Sequence, residues 1–176
     1  MKNFVLLLAL TLMACRISAQ EGYPTPPLSK QNLFYIQRSG NTNTIVYDAN
    51  VVGNNKISTT KPVDIYWIRY TNGGAKEGLT FIQRNLAYGL SLKHLGDNKY
   101  EFNFVSYSKK KFLMYIDAGG KPCAKLEVNG KQMVIRRIFI AIEESSRWTL
   151  APKVQYVEFF GTDPWNGKNM YEKFYP

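Results

Sequence analysis

Arginines set into otherwise apolar strands are the residues here whose spacing could support chemistry. In "DIYWIRY" Arg69 follows Trp67 by two, so on a strand both share a face with Val63 and Ile65. In "MVIRRIFIAI" Arg136 and Arg137 stand side by side, and alternation turns one of them toward the apolar neighbours. A guanidinium near a low-dielectric interior is costly unless it is paired. An anionic ligand held against Tyr and Trp walls would pair it; so would an ion pair with Asp64, Glu101 or Glu158. Two further arginines close a repeated string, Ile-Gln-Arg, in "LFYIQRSG" (33–40) and "LTFIQRNL" (79–86). A ligand site would thus draw on Arg38, Trp67, Arg69, Arg84, Tyr88, Arg136 and Arg137.

Catalytic constellations are sparse. His94 is the single histidine, in "SLKHLGDN", with no Gly-x-Ser-x-Gly elbow in the chain. One histidine and the two cysteines Cys15 and Cys123 exclude the ordinary zinc patterns, and "DAGGKP" has too few oxygen ligands for a calcium loop. Gly119-Gly120 reads as a turn, because neither a P-loop nor a dinucleotide fingerprint surrounds it. No cofactor motif and no metal site is expected. Glycoside hydrolysis needs two carboxyls ~5–9 Å apart across a cleft; Asp48, Asp64, Glu101, Asp117, Glu127 and Glu158 lie on or beside strands, where salt bridging to Lys and Arg explains them equally well. Cys123 reads as a buried small residue rather than a nucleophile.

The elements that must position these residues read as β structure. From Asn32 onward, aromatic and β-branched runs alternate with Gly, Asn and Lys clusters. "KYEFNFVSY" (99–107), "FLMYID" (112–117), "CAKLEV" (123–128), "QMVIRRIFIAI" (132–142) and "KVQYVEFF" (153–160) predict a meander. Its turns are "SKKK", "AGGKP", Asn129-Gly130 and "EESSRW"; the Asn-Gly pair is the strongest hairpin signal. "TIVYDANVV" (44–52) and "VDIYWIRY" (63–70) add strands, and "LFYIQRS" runs as a strand into the turn-formers "GNTNT". "LTFIQRNLAYGL" differs. Leu79, Ile82, Leu86 and Leu90 make a helical stripe, Thr80 with Gln83 has the form of a capping box, and Gly89 can end the helix. The expectation is one mainly β domain, an antiparallel barrel or two-layer sandwich, with a short helix near 79–89 packed on it. The two Ile-Gln-Arg strings then sit on unlike elements and are not an internal repeat.

The N-terminus speaks to location. "MKNFVLLLALTLMACRISAQ" carries Lys2, a short apolar run and small residues before Gln20, the form of an export signal over 1–20. A lipoprotein reading through Cys15 in "LMAC" competes with it. "EGYPTPPLSK", with its three prolines, is an extended lead-in over 21–31, leaving a single domain over 32–176. No later segment approaches the ~20 apolar residues of a membrane helix. The whole chain carries a net charge of +10; without residues 1–20, 21 basic residues face 13 acidic ones, a net of +8. Such a surface favours anionic partners such as lipid, glycan or another envelope component, with nucleic acid the weaker match. The sequence says nothing about oligomeric state.

The strings "YIQRSGNTNTIVYDAN", "PVDIYWIRY", "LAYGL", "YEFNFVSY" and "TLAPKVQYVEFFGTDPWNGKNMYEKF" resemble a DUF4833-like family of small exported bacterial proteins of unknown function. The long ending "EFFGTDPWNGKNMYEKF" is the most specific part, and the signal ending in "SAQ" is similar to those of the Bacteroidetes. The resemblance implies one intact domain and bacterial export, and it carries no activity or site residue. On these grounds the expected function is a periplasmic or extracellular, non-catalytic binding module for an anionic or amphipathic ligand. The alternatives are a hydrolase of envelope or glycan substrates, or a structural or envelope-assembly protein.

Overall fold

A computed structural model describes residues 22–53, 55–147, 149 and 152–176. The export signal read at 1–20, with Cys15, lies outside the described residues. The first half contains β1 (Asn32–Arg38), β2 (Asn41–Ala49), β3 (Val51–Val52), β4 (Lys56–Ile57), β5 (Val63–Arg69), β6 (Ala75–Gly78) and α1 (Phe81–Leu86). The second half contains β7 (Leu90–Gly96), β8 (Lys99–Phe104), β9 (Tyr107–Ile116), β10 (Pro122–Val128), β11 (Lys131–Ile142), β12 (Val154–Thr162) and β13 (Asn169–Phe174). The molecule is mainly β, with one short α-helix.

Eleven strands form one large sheet, curled into a half-barrel. Consecutive strands β7 through β13 pair antiparallel, the meander that the alternation predicted. In the first half the order is β6-β5-β2-β1. The two halves join through β1 and β11, which run parallel from Tyr35↔Arg137 to Arg38↔Ile140. β11 is the hub. It meets β10 along Lys131–Val134, β1 along Arg137–Ile140 and β12 along Val134–Ile142.

Period-two alternation divides the sheet into two faces. Phe34, Ile36, Ile45, Tyr47, Trp67, Phe102, Phe112, Met114 and Ile135 are buried together on the concave side. Phe34 is its centre, stacked on Tyr47 at 4.6 Å and within 6.1 Å of Phe102 and of Phe104. Each such aromatic contributes roughly 1.5–3 kcal/mol by leaving water. The convex side carries Val46, Tyr66 and Ile68 with Tyr35 and Tyr70 packed beside them. There the lead-in lies against the sheet. Gln37 Nε2 donates to the Pro24 carbonyl (2.8 Å), Gly40 N donates to Tyr23 Oη (3.0 Å), and Tyr23 meets Phe139 edge-on at 5.1 Å.

Four local expectations are corrected. "SKKK" is not a turn: Ser108–Lys111 lie within β9, and the chain reverses at Val105-Ser106, so that Phe104 pairs with Tyr107. The turn between β1 and β2 is Ser39-Gly40 alone, and Asn41–Thr44 of "GNTNT" already belong to β2. The helix forms with its capping box, but it ends at Ala87 rather than at Gly89. Its stripe does not pack inward; Ile82 and Leu86 are exposed, Leu79 is buried before the helix begins, and Leu90 starts β7. The predicted hairpin turn is as expected, with Asn129 and Gly130 at φ 51° and 77°.

Candidate functional site

The concave face holds a cavity of about 470 Å³, within the range of small-molecule sites. β1 contributes Ile36, β11 contributes Ile138, Ile140 and Ile142, and β12 contributes Val157 and Phe159. Phe104 and Phe112 come from β8 and β9, and Phe174 from β13. Polar groups are few: Arg38, Tyr88, Ser106, Tyr107 and Lys110.

Arg38 reaches this face because Phe34, Ile36 and Arg38 alternate along β1. Its Nε is buried without a hydrogen-bond partner among the described residues. A buried donor left unpaired costs about 1–3 kcal/mol. Tyr88 sits on the short return from α1 to β7, where its carbonyl accepts from Tyr47 Oη at 2.8 Å. Its ring meets Trp67 edge-on at 5.3 Å. Burial raises the Tyr88 hydroxyl above its ordinary value, while the Arg38 and Arg69 charges pull it back. Trp67 and Arg69 share a face, as the spacing in "DIYWIRY" predicts: the Arg69 guanidinium lies over the Trp67 ring at 4.4 Å. Arg69 Nε donates to Glu77 Oε2 at 2.9 Å, so its charge is already paired.

Four of the seven candidates therefore gather around Tyr88: Arg38, Trp67, Arg69 and Tyr88 itself. The other three lie elsewhere. Arg84 is exposed on α1, outside the cavity lining, so the twin Ile-Gln-Arg strings do not build one site. Arg136 and Arg137 part company at a bulge, a register shift between Ile135 and Arg137 against β12. Met133 and Ile135 before the bulge, and Ile138 after it, all reach the core, which strict alternation forbids. Arg137 is buried on the convex side, 5.7 Å from the Phe139 ring and 4.9 Å from the Phe160 ring. Burial pulls its guanidinium below the ordinary value, opposed by Tyr35, Glu158 and Tyr23. Arg136 acts electrostatically on Tyr115 and Cys123.

Lys110 was missed as a site residue. Its Nζ lies 4.5 Å from the Phe174 ring centre and donates to the Glu127 carbonyl at 3.3 Å. The signal lay within "SKKKF": once that stretch is a strand, alternation sends Lys110 and Phe112 to one face.

The catalytic candidates take structural places. His94 packs on Tyr100 at 4.7 Å, and among the described residues no hydrogen bond joins it to a Ser or Asp. Asp48 accepts from Ser29 Oγ, Asn32 Nδ2 and Tyr66 Oη. Asp64 pairs with Lys61, and Glu101 with Lys111. Asp117 caps its own loop through Gly119 N and Lys121 N. Cys123 is buried, and burial with Asp117 pushes its thiol up, away from the thiolate a nucleophile needs. Among the described residues no group of three His, Cys, Asp or Glu could hold a metal ion, and no helix is long and apolar enough to cross a membrane.

Fold and site together define a class: a β half-barrel whose concave face keeps an apolar cavity edged by cationic side chains. The chain belongs to the family described as "Domain of unknown function (DUF4833)", whose model matches residues 34–173 and so runs from within β1 to within β13. No curated protein and no solved structure matches it.

Proposed function

We propose that this domain is a non-catalytic binding module of the cell envelope, and that its concave cavity takes an amphipathic anion. The observation that carries this reading is Arg38: a buried, unpartnered Nε on a strand whose other inward residues are apolar, beside about 470 Å³ of free space. An acyl chain would lie along Ile36, Ile138, Ile140 and Phe159, and its acidic head would take the Arg38 guanidinium. Lys110 adds a second cation on the same lining. The sequence character of residues 1–20 supports placing the protein outside the cytoplasm.

Titration calorimetry with decanoate and with decanol tests this. Decanoate binds at least about tenfold more tightly, a difference of roughly 1.4 kcal/mol. Arg38→Met removes that preference. Equal affinities in the unaltered protein, or no binding of decanoate, overturn the reading.

A further inference from the structure

α1 is an exposed helix that keeps its apolar residues in water. Phe81 is 82% exposed, Ile82 68% and Leu86 71%, and no residue of the helix is buried. It is nonetheless held firmly, by the Thr80–Gln83 capping box and by Ser106 Oγ donating to the Ala87 carbonyl at 2.7 Å. A second tie, Val105 N to the Gly89 carbonyl at 3.0 Å, brings the β8–β9 turn beside the helix end. Val105 is exposed there too. Contiguous apolar side chains displayed on an anchored frame mark an interaction surface.

The charge around them says what the surface meets. From Leu79 to Gly96, and again from Phe102 to Ile116, there is no Asp or Glu, while Arg84, Lys109 and Lys110 are present; Lys93 lies opposite Glu101, and Lys111 is already paired with it. Hydrogen bonds bring these two stretches together, so the apolar display is set in a cationic field. Leu86 is at once exposed and part of the cavity lining, which makes the surface continuous with the cavity.

We propose that α1 with the Val105 turn docks on an anionic lipid surface, inserting Phe81, Ile82 and Leu86 among the head groups while the neighbouring cations meet the lipid charge. This deepens the cavity reading, since it places the cavity against a source of amphipathic anions, but docking needs no ligand and is measured separately.

The test is co-sedimentation with vesicles of phosphatidylcholine containing one-third phosphatidylglycerol, beside vesicles of phosphatidylcholine alone. The protein partitions to the anionic vesicles, and added salt weakens that partitioning. Phe81→Glu/Ile82→Glu lowers it by about tenfold or more, with an unchanged circular dichroism spectrum and unchanged decanoate affinity. Arg84→Gln, which keeps the apolar display intact, lowers it less and reduces its salt dependence. Equal partitioning to both vesicle types, or partitioning untouched by the double variant, overturns the proposal. So does sedimentation velocity showing a dimer that Phe81→Glu/Ile82→Glu dissociates, for the face would then belong to a second copy. Vesicle binding without decanoate binding upholds docking and removes the cavity reading alone.

Discussion

Trp67 and Gln83 are joined by a hydrogen bond from the indole Nε1 to the amide Oε1 at 3.2 Å. The same oxygen accepts from Thr80 N at 3.0 Å, closing the capping box. One side chain therefore caps an exposed helix and satisfies the buried indole beneath it. This bond, more than any apolar contact of α1, fixes the helix to the half-barrel.

Gln83→Ala is expected to lower stability by about 1–2 kcal/mol, because it strands the Trp67 donor and opens the cap together. Urea denaturation measures the loss. Hydrogen exchange at the amides of 81–87 separates local release of the helix from global destabilisation.

Gly89 is required by close approach. A Cβ there would stand 1.8 Å from the Arg84 carbonyl oxygen. Gly89→Ala forces the return from α1 apart and costs about 1–3 kcal/mol. It also shifts Tyr88, so decanoate affinity falls with stability; Gly96→Ala, where nothing lies near the added carbon but φ is +91°, costs stability alone.

Arg38 and Arg69 respond differently to the same change. Arg69→Met loses the Glu77 ion pair and the Trp67 ring contact, and lowers stability. Arg38→Met removes a buried donor that has no partner, so the ligand-free protein keeps its stability or gains about 1 kcal/mol. Chemical denaturation of both variants without ligand checks the contrast.

Glu172 sets an acid limit. Hydrogen bonds from Lys131 Nζ (2.5 Å) and Asn129 Nδ2 (3.0 Å) hold its carboxyl below the usual glutamate value. A depressed folded-state value stabilises above the unfolded-state pKa and loses that contribution as pH falls through the folded one. Melting temperature therefore declines on acidification below about pH 4.5. Glu172→Gln lowers the neutral-pH melting temperature and flattens this decline.

The sequence disclosed most where local chemistry decides structure. The Asn129-Gly130 turn needs positive φ at both positions, and Thr80 with Gln83 makes a capping box wherever a helix starts. The Trp67–Arg69 face followed from period-two alternation. What failed was decided at a distance. Lys109–Lys111 resemble a solvated turn, yet they run on within β9, across a register shift against β8, and the true turn, Val105-Ser106, holds no Gly, Asn or Pro. Leu79, Ile82, Leu86 and Leu90 have helical spacing, yet the helix covers only two of them. The Arg136–Arg137 bulge was also hidden, since a register shift depends on the partner strand. Arg38 could be placed on a strand, but only the curl of the sheet turns it into the cavity lining with its Nε unpartnered.

The parallel pairing of β1 with β11 also governs how the molecule comes into being. β1 and its partner lie about a hundred residues apart along the chain, a separation of the kind that slows folding. The hairpin of β1 and β2 can form early, but its other edge stays bare until Ile140 is available. Completion of the half-barrel is thus postponed to the last third of the polypeptide. A chain cut short before β11 would therefore leave β1 with β2 as its one neighbour and the two halves of the sheet unjoined.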